Sequence, residues 1–197
     1  MGKIVAIGGG NMGELETLPI DREIVRLTKK KKPRALFIPT ASSDSREYWE
    51  VFRGVYTGEL NCHTDVLYLL GQRPTRKEIT GKILSADLIY VGGGNTLKMM
   101  RRWRTLGVDR LLRRAHRKGT VLSGLSAGCI CWFAYGHSDS MAFYHPDDWD
   151  YIRVKCLGLI NGLGCPHYDG EKRDRSFETM VKKQSHMGIA LDNNCAR

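Results

Sequence analysis

The chain has 197 residues, 42% of them hydrophobic and 26% charged, with a formal net charge of +10. That balance excludes a disordered chain, and no run approaches the roughly 18 consecutive apolar residues of a membrane span. At this length one compact domain, residues 1–197, is expected to bury its own core.

The first element is a strand over Lys3–Ile7 that runs into Gly8-Gly9-Gly10. Its apolar run is too short for a secretory leader, and the Ser or Thr that a myristoylated Gly2 would want is Ala6, so a cytoplasmic protein without a lipid anchor is expected. Gly8-Gly9-Gly10-Asn11-Met12-Gly13 has the spacing of a dinucleotide-binding fingerprint. Pro19 delays the helix, however, and the second strand ends in Pro39-Thr40 rather than an acid, so no nucleotide cofactor is expected.

Pro19 opens a helix with Ile20, Ile24 and Leu27 at helical spacing, and Lys29 to Lys32 sit at its C-terminal end, where the dipole favours cations. Ala35–Ile38 is a continuous apolar run stopped by Pro39, which predicts a strand buried on both faces. A helix with Tyr48, Val51, Phe52, Val55 and Tyr56 on one stripe follows, then a strand over Thr64–Leu70. Pro74 starts a helix through Ile79 and Ile83, and Asp87–Val91 is a fourth strand.

Helices over 95–104 and 108–118 precede a fifth strand, Thr120–Ser123, and 126–133 reads as helical. From 134 to 150 the periodicity fails, which predicts a long loop of the kind that often serves function. A strand at Leu157–Ile160 and a helix over Asp174–Gln184 complete the chain. Strands alternating with helices specify an α/β fold, a mostly parallel sheet with helices on both faces.

The basic clusters, Lys29 to Lys32 and Arg113-Arg114-Ala115-His116-Arg117-Lys118, fall at helix ends without interleaved aromatics. They read first as solvated helix ends, and the alternative is a positive field that attracts acidic substrates; nucleic acid is not expected. Six cysteines include no Cys-x-x-Cys pair, so free thiols and no metal site are expected.

Gly124-Leu125-Ser126-Ala127-Gly128 follows an apolar strand and precedes a helical segment. That context suits a nucleophile elbow, where small residues flank a serine thrust above the sheet edge. A serine needs a base, and six histidines compete. His167, in the turn Gly164-Cys165-Pro166-His167-Tyr168-Asp169, is the candidate, with His137 and His145 as alternatives in the loop after the elbow helix. Asp139 supplies an acid in the chain order Ser, Asp, His. Val91-Gly92-Gly93-Gly94-Asn95-Thr96 is a second strand-to-helix glycine turn, and the amide of Gly94, ahead of Gly93, paired with that of Ala127 forms a candidate oxyanion hole. Asn95 of the same turn is a candidate substrate-binding residue.

These blocks, with Leu36-Phe37-Ile38-Pro39-Thr40-Ala41-Ser42, Ile130-Cys131-Trp132-Phe133 and Pro166-His167-Tyr168, occur in the order found in peptidase E, the aspartyl dipeptidases, whose relatives include cyanophycinases. The chain resembles that family over nearly its whole length. The resemblance implies a flavodoxin-like or glutamine-amidotransferase-like three-layer sandwich, no cofactor, and a Ser-His-Asp triad of Ser126, His167 and Asp139. It also implies hydrolysis of dipeptides with an N-terminal aspartate, and Arg173 resembles the arginine that binds the substrate carboxylate.

The expected partner is thus a small acidic peptide, with no nucleic acid and no membrane, and with homodimerisation left open. An esterase, a β-aspartyl peptidase and a catalytically silent peptide-binding module of the same fold are the alternatives. Family members usually continue past a segment like Gly188–Asp192 into further strands, whereas this chain stops at Arg197, so either the product is short or a tail is missing; strands that normally cover the sheet edge, if lost, would cost stability and activity.

Overall fold

The computed structural model describes residues 1–183 and 186–197. Five parallel strands form the main sheet in the order β1-β5-β4-β2-β3, with β1 Ile4–Ile7, β2 Arg34–Ile38, β3 His63–Val66, β4 Leu88–Val91 and β5 Val121–Leu125. The helices are α1 Leu18–Leu27, α2 Arg46–Arg53, α3 Arg76–Ser85, α4 Thr96–Leu106, α5 Val108–Arg117, α6 Ala127–Ile130 and α7 Asp174–Lys182. Among the described residues no helix is long and apolar enough to cross a membrane.

Alternation along the central strands builds both cores, because successive side chains point to opposite faces. Leu36, Ile38, Ile89, Val91 and Leu122 face one way, against Ile79 and Ile83 of α3, Met99 and Trp103 of α4, and Leu112 of α5. Ala35, Phe37, Leu88, Tyr90, Val121 and Leu125 face the other way, against Ile24 of α1 and Phe52 of α2. The result is the three-layer α/β sandwich expected from the alternating pattern. Stacked rings dominate the second face, with Phe37 and Phe52 at 4.7 Å and Phe52 and Tyr56 at 4.1 Å between centroids.

Caps fix the helix starts. Thr75 and Glu78 form a reciprocal capping box on α3, and Ser45 accepts from the Tyr48 amide on α2. The α2 stripe runs on through a π-helical turn, Gly54–Glu59, which keeps Val55 and Tyr56 buried.

The second half departs from the sequence reading. The elbow helix is a single short turn, and Phe133–Ser138, expected as helix end and loop, is strand β6. It joins β7 Ile152–Lys155, β8 Ile160–Cys165 and β9 Gly188–Ala190 in a second sheet of order β7-β6-β8-β9. The glycine-rich strands β6 and β8 pack backbone to ring: a Cβ at Gly164 would stand 2.7 Å from the Phe133 ring. Glycines in place of apolar side chains hide such strands from a periodicity reading. The strand expected at Leu157–Ile160 begins only at its last residue, and the expected helix covers 174–182, with Gln184 outside the described residues.

The main-sheet edge at β1 is not bare. Residues 193–197 return along it, with Ala6 and Arg197 exchanging backbone hydrogen bonds at 2.9 and 3.1 Å and the Gly8 amide donating to Cys195 at 2.9 Å. The tail thus covers this edge.

Candidate active site

β5 lies between β1 and β4, so the turns leaving the three strands, Gly8 to Gly10, Gly92 to Asn95 and Ser126, sit side by side at the carboxyl end of the sheet. Ligands of parallel α/β sheets bind at that end.

Ser126 has φ 57 and ψ −110, a left-handed backbone that a side chain adopts only under constraint. The constraint is visible: its amide donates to the Ile7 carbonyl at 3.1 Å, and its carbonyl accepts from Cys129 and Ile130. The flanking glycines are demanded by contact, since a Cβ at Gly128 would lie 2.0 Å from the Val91 carbonyl oxygen and one at Gly124 2.6 Å from the same atom. An N-capping serine alone would need neither glycine. Ser126 is partly exposed at the top of this turn.

The β4 turn abuts the serine, because a Cβ at Gly93 would stand 3.3 Å from the Ser126 Cβ. Burial pushes the Tyr48 hydroxyl up to about 12, and its ring stands against this turn, 2.8 Å from where a Cβ at Gly92 would lie. The amides of Gly94 and Ala127 find no acceptor among the described residues. Asn95 is buried and committed: its Oδ1 caps α4 by accepting from Lys98 at 2.9 Å, and its Nδ2 donates to Ser140 O at 3.4 Å. It positions the turn against the 139–143 segment.

His167 follows β8 directly, with φ 91 and its amide donating to Leu191 O. Its Nδ1 lies 2.8 Å from Asn193 Oδ1. An amide oxygen accepts, so Nδ1 carries the proton and Nε2 keeps the lone pair a general base needs. Gly9 makes room for this pair, since a Cβ there would lie 2.0 Å from Asn193 Oδ1 and 2.3 Å from His167 Nδ1. The glycine run discounted as a nucleotide motif thus has a steric reason.

Asp139 follows β6, which pairs in parallel with β8, so its turn and that of His167 share one end of the second sheet. Its carboxylate faces Arg173 at 3.6 Å, and no hydrogen bond joins it to His167 among the described residues. Arg173 is 1% exposed, donates to Glu171 from both Nε at 2.9 Å and Nη2 at 2.6 Å, and lies 4.9 Å over the Tyr151 ring. The structure therefore brings Ser126, Gly94 and Ala127 to one sheet end and pairs His167 with Asn193. It gathers Asp139 with Arg173 in a neighbouring ion cluster.

The other two histidines weighed as bases are placed differently. His137 is buried, its Nε2 is 3.0 Å from Ser176 Oγ, and burial together with Arg173 lowers it to about 4. It is a neutral core histidine beside Cys165, a thiol that burial raises to about 12. His145 lies exposed in the loop beyond the 139–143 segment. The contact of Asn193 with His167 was missed because Asp192-Asn193-Asn194 reads as a turn.

Residues 4–196 match Peptidase family S51. The chain is 37% identical over 199 residues to the uncharacterized peptidase YgaJ of Bacillus subtilis, covering 100% of this chain and 82% of that protein. A candidate peptidase E protein from Listeria monocytogenes EGD-e has the same fold, with TM-score 0.71 at 20% identity over 98% of this chain and 91% of its own. A peptidase from an acI-B1 Actinobacterium matches with TM-score 0.71 at 19% identity, over 98% and 81% of the two chains.

Proposed function

The chain belongs to Peptidase family S51 and is a serine-type peptidase; from that premise we propose that it hydrolyses small peptides, dipeptides with an N-terminal aspartate foremost, through an acyl-enzyme on Ser126. The observation that carries this reading is the strained elbow of Ser126 beside the Gly93–Gly94 turn.

Ser126 Oγ attacks the scissile carbonyl carbon while His167 Nε2 takes the hydroxyl proton, and the amides of Gly94 and Ala127 hold the developing oxyanion, each worth roughly 3 to 4 kcal/mol in comparable sites. His167 passes its proton to the leaving amine as the C–N bond breaks. Water, deprotonated by the same nitrogen, then attacks the ester carbonyl and releases the acid, restoring the serine. Asn193 keeps the Nδ1 proton in place throughout, the part an acid plays in a Ser-His-Asp triad.

Selectivity for an acidic first residue is supported by the net charge of +10 and by Arg173, whose Asp139 contact at 3.6 Å is the longer of its two carboxylate contacts. A substrate carboxylate replacing Asp139 would meet Nη2 of a guanidinium whose orientation is fixed by its bonds to Glu171. The test is a dipeptide panel: wild type cleaves Asp-Leu in preference to Leu-Leu, and folded Ser126→Ala loses about 10⁴-fold or more of that turnover. Near-normal turnover in Ser126→Ala sinks the reading.

A further inference from the structure

A cavity of about 720 Å³ opens between β7 and α7, away from the three glycine turns. Its lining presents Arg153, Lys172, Arg175 and Lys183 against one carboxylate, Asp150. All four cations are exposed, and none forms an ion pair among the described residues. Elsewhere on the surface Lys30 pairs with Asp87, Lys82 with Asp65 and Arg53 with Glu50. Like charges facing one concavity repel each other, and such a focused field favours an anion in the space between them.

The cavity is tied to the active-site loop. Lys172 is held at φ 50 in the turn that follows His167, so one wall is the segment that carries the proposed base. Tyr151, also in the lining, stacks on His137 at 4.3 Å and lies under Arg173 at 4.9 Å. These contacts engage the ring that a nucleic-acid base would need for stacking. What the lining offers instead is guanidinium forks and ammonium groups, which suit carboxylates.

We propose that this cavity is a binding subsite for the acidic residues of a peptide, separate from the pocket where the bond is cut. The choice of a peptide rests on the peptidase reading above, whereas the preference for an anion rests on the charges of the cavity alone.

Fluorescein-labelled hexa-aspartate titrated into the Ser126→Ala protein, followed by anisotropy, measures binding without turnover. The expected result is saturable binding that weakens from about 20 to about 200 mM salt. The double variant Arg175→Glu with Lys183→Glu should weaken it at least about tenfold, and Arg153→Gln on the opposite wall about threefold. Arg101→Glu with Arg110→Glu, exposed on α4 and α5, makes the same change in net charge and should alter affinity less than about twofold. Absence of saturable binding, equal weakening by the α4/α5 pair, or displacement of the peptide by a lower concentration of oligothymidylate of matching charge each overturns the proposal. Fluorophosphonate labelling separates the two claims, since failure to label Ser126 removes the peptidase chemistry and leaves the binding result standing.

Discussion

At the residue scale the account turns on what holds the imidazole. Asn193 Oδ1 accepts from His167 Nδ1, a neutral hydrogen bond that fixes the tautomer without adding charge. Asn193→Ala should lower kcat by about 10- to 100-fold, and Asn193→Asp should keep the acceptor and retain activity within about tenfold. Asp139→Asn should cost less than about tenfold, because its carboxylate meets Arg173; a loss near 10⁴-fold in steady-state kinetics would restore Asp139 as the orienting acid. Gly9→Ala should cut kcat by about 100-fold or more with little change in the unfolding midpoint, since its methyl group would displace the His167–Asn193 pair. Unchanged kinetics in that variant would show that the pair does not need its observed place. The strained turn at Ser126 was legible in the sequence because its close contacts require glycines at fixed offsets. The His167–Asn193 contact was not, because it comes from a tail folding back over β1, a long-range contact with no local signature.

Elements show the same division. Strands β2 and β4 were legible because burial on both faces leaves an uninterrupted apolar run. Strand β6 was not, since Phe133-Ala134-Tyr135-Gly136-His137-Ser138 has neither that run nor a clean alternation, and its pairing with β7 and β8 supplies what propensity lacks. Helix α1 carries a testable polar feature. Asp21 is fully buried, receives hydrogen bonds from Thr17 at 2.7 Å and Tyr56 at 2.8 Å, and burial raises it to about 6 from 3.8. Between those values the folded state holds a proton that the unfolded chain has released, so this group's stabilisation is full below about 3.8 and fades as pH rises through about 6. The span is worth on the order of 3 kcal/mol. Urea unfolding of wild type and Asp21→Asn at several pH values should show the wild type losing ground to the variant between about pH 4 and pH 6. Parallel curves would mean that Asp21 ionises freely.

For the whole molecule, the α/β class followed from the order of periodic segments, while the division into two sheets did not, because it depends on glycine strands that pack through their backbones. The tail joins the scales: residues 193–197 cover the β1 edge and deliver Asn193 to the site. Deleting 195–197 removes the backbone hydrogen bonds of Ala6, Gly8 and Arg197, and at roughly 0.5 to 1.5 kcal/mol each it should lower stability by about 1.5 to 4.5 kcal/mol in urea. An unchanged midpoint would show that the tail only rests on the sheet. The central claim is that Ser126 is the nucleophile of a serine peptidase. Its most direct measurement is the mass of the protein after reaction with a fluorophosphonate, with peptide mapping of the adduct. A single adduct on Ser126, lost in Ser126→Ala and slowed in His167→Ala, is the expected result, and an unmodified protein or an adduct on another residue would contradict it.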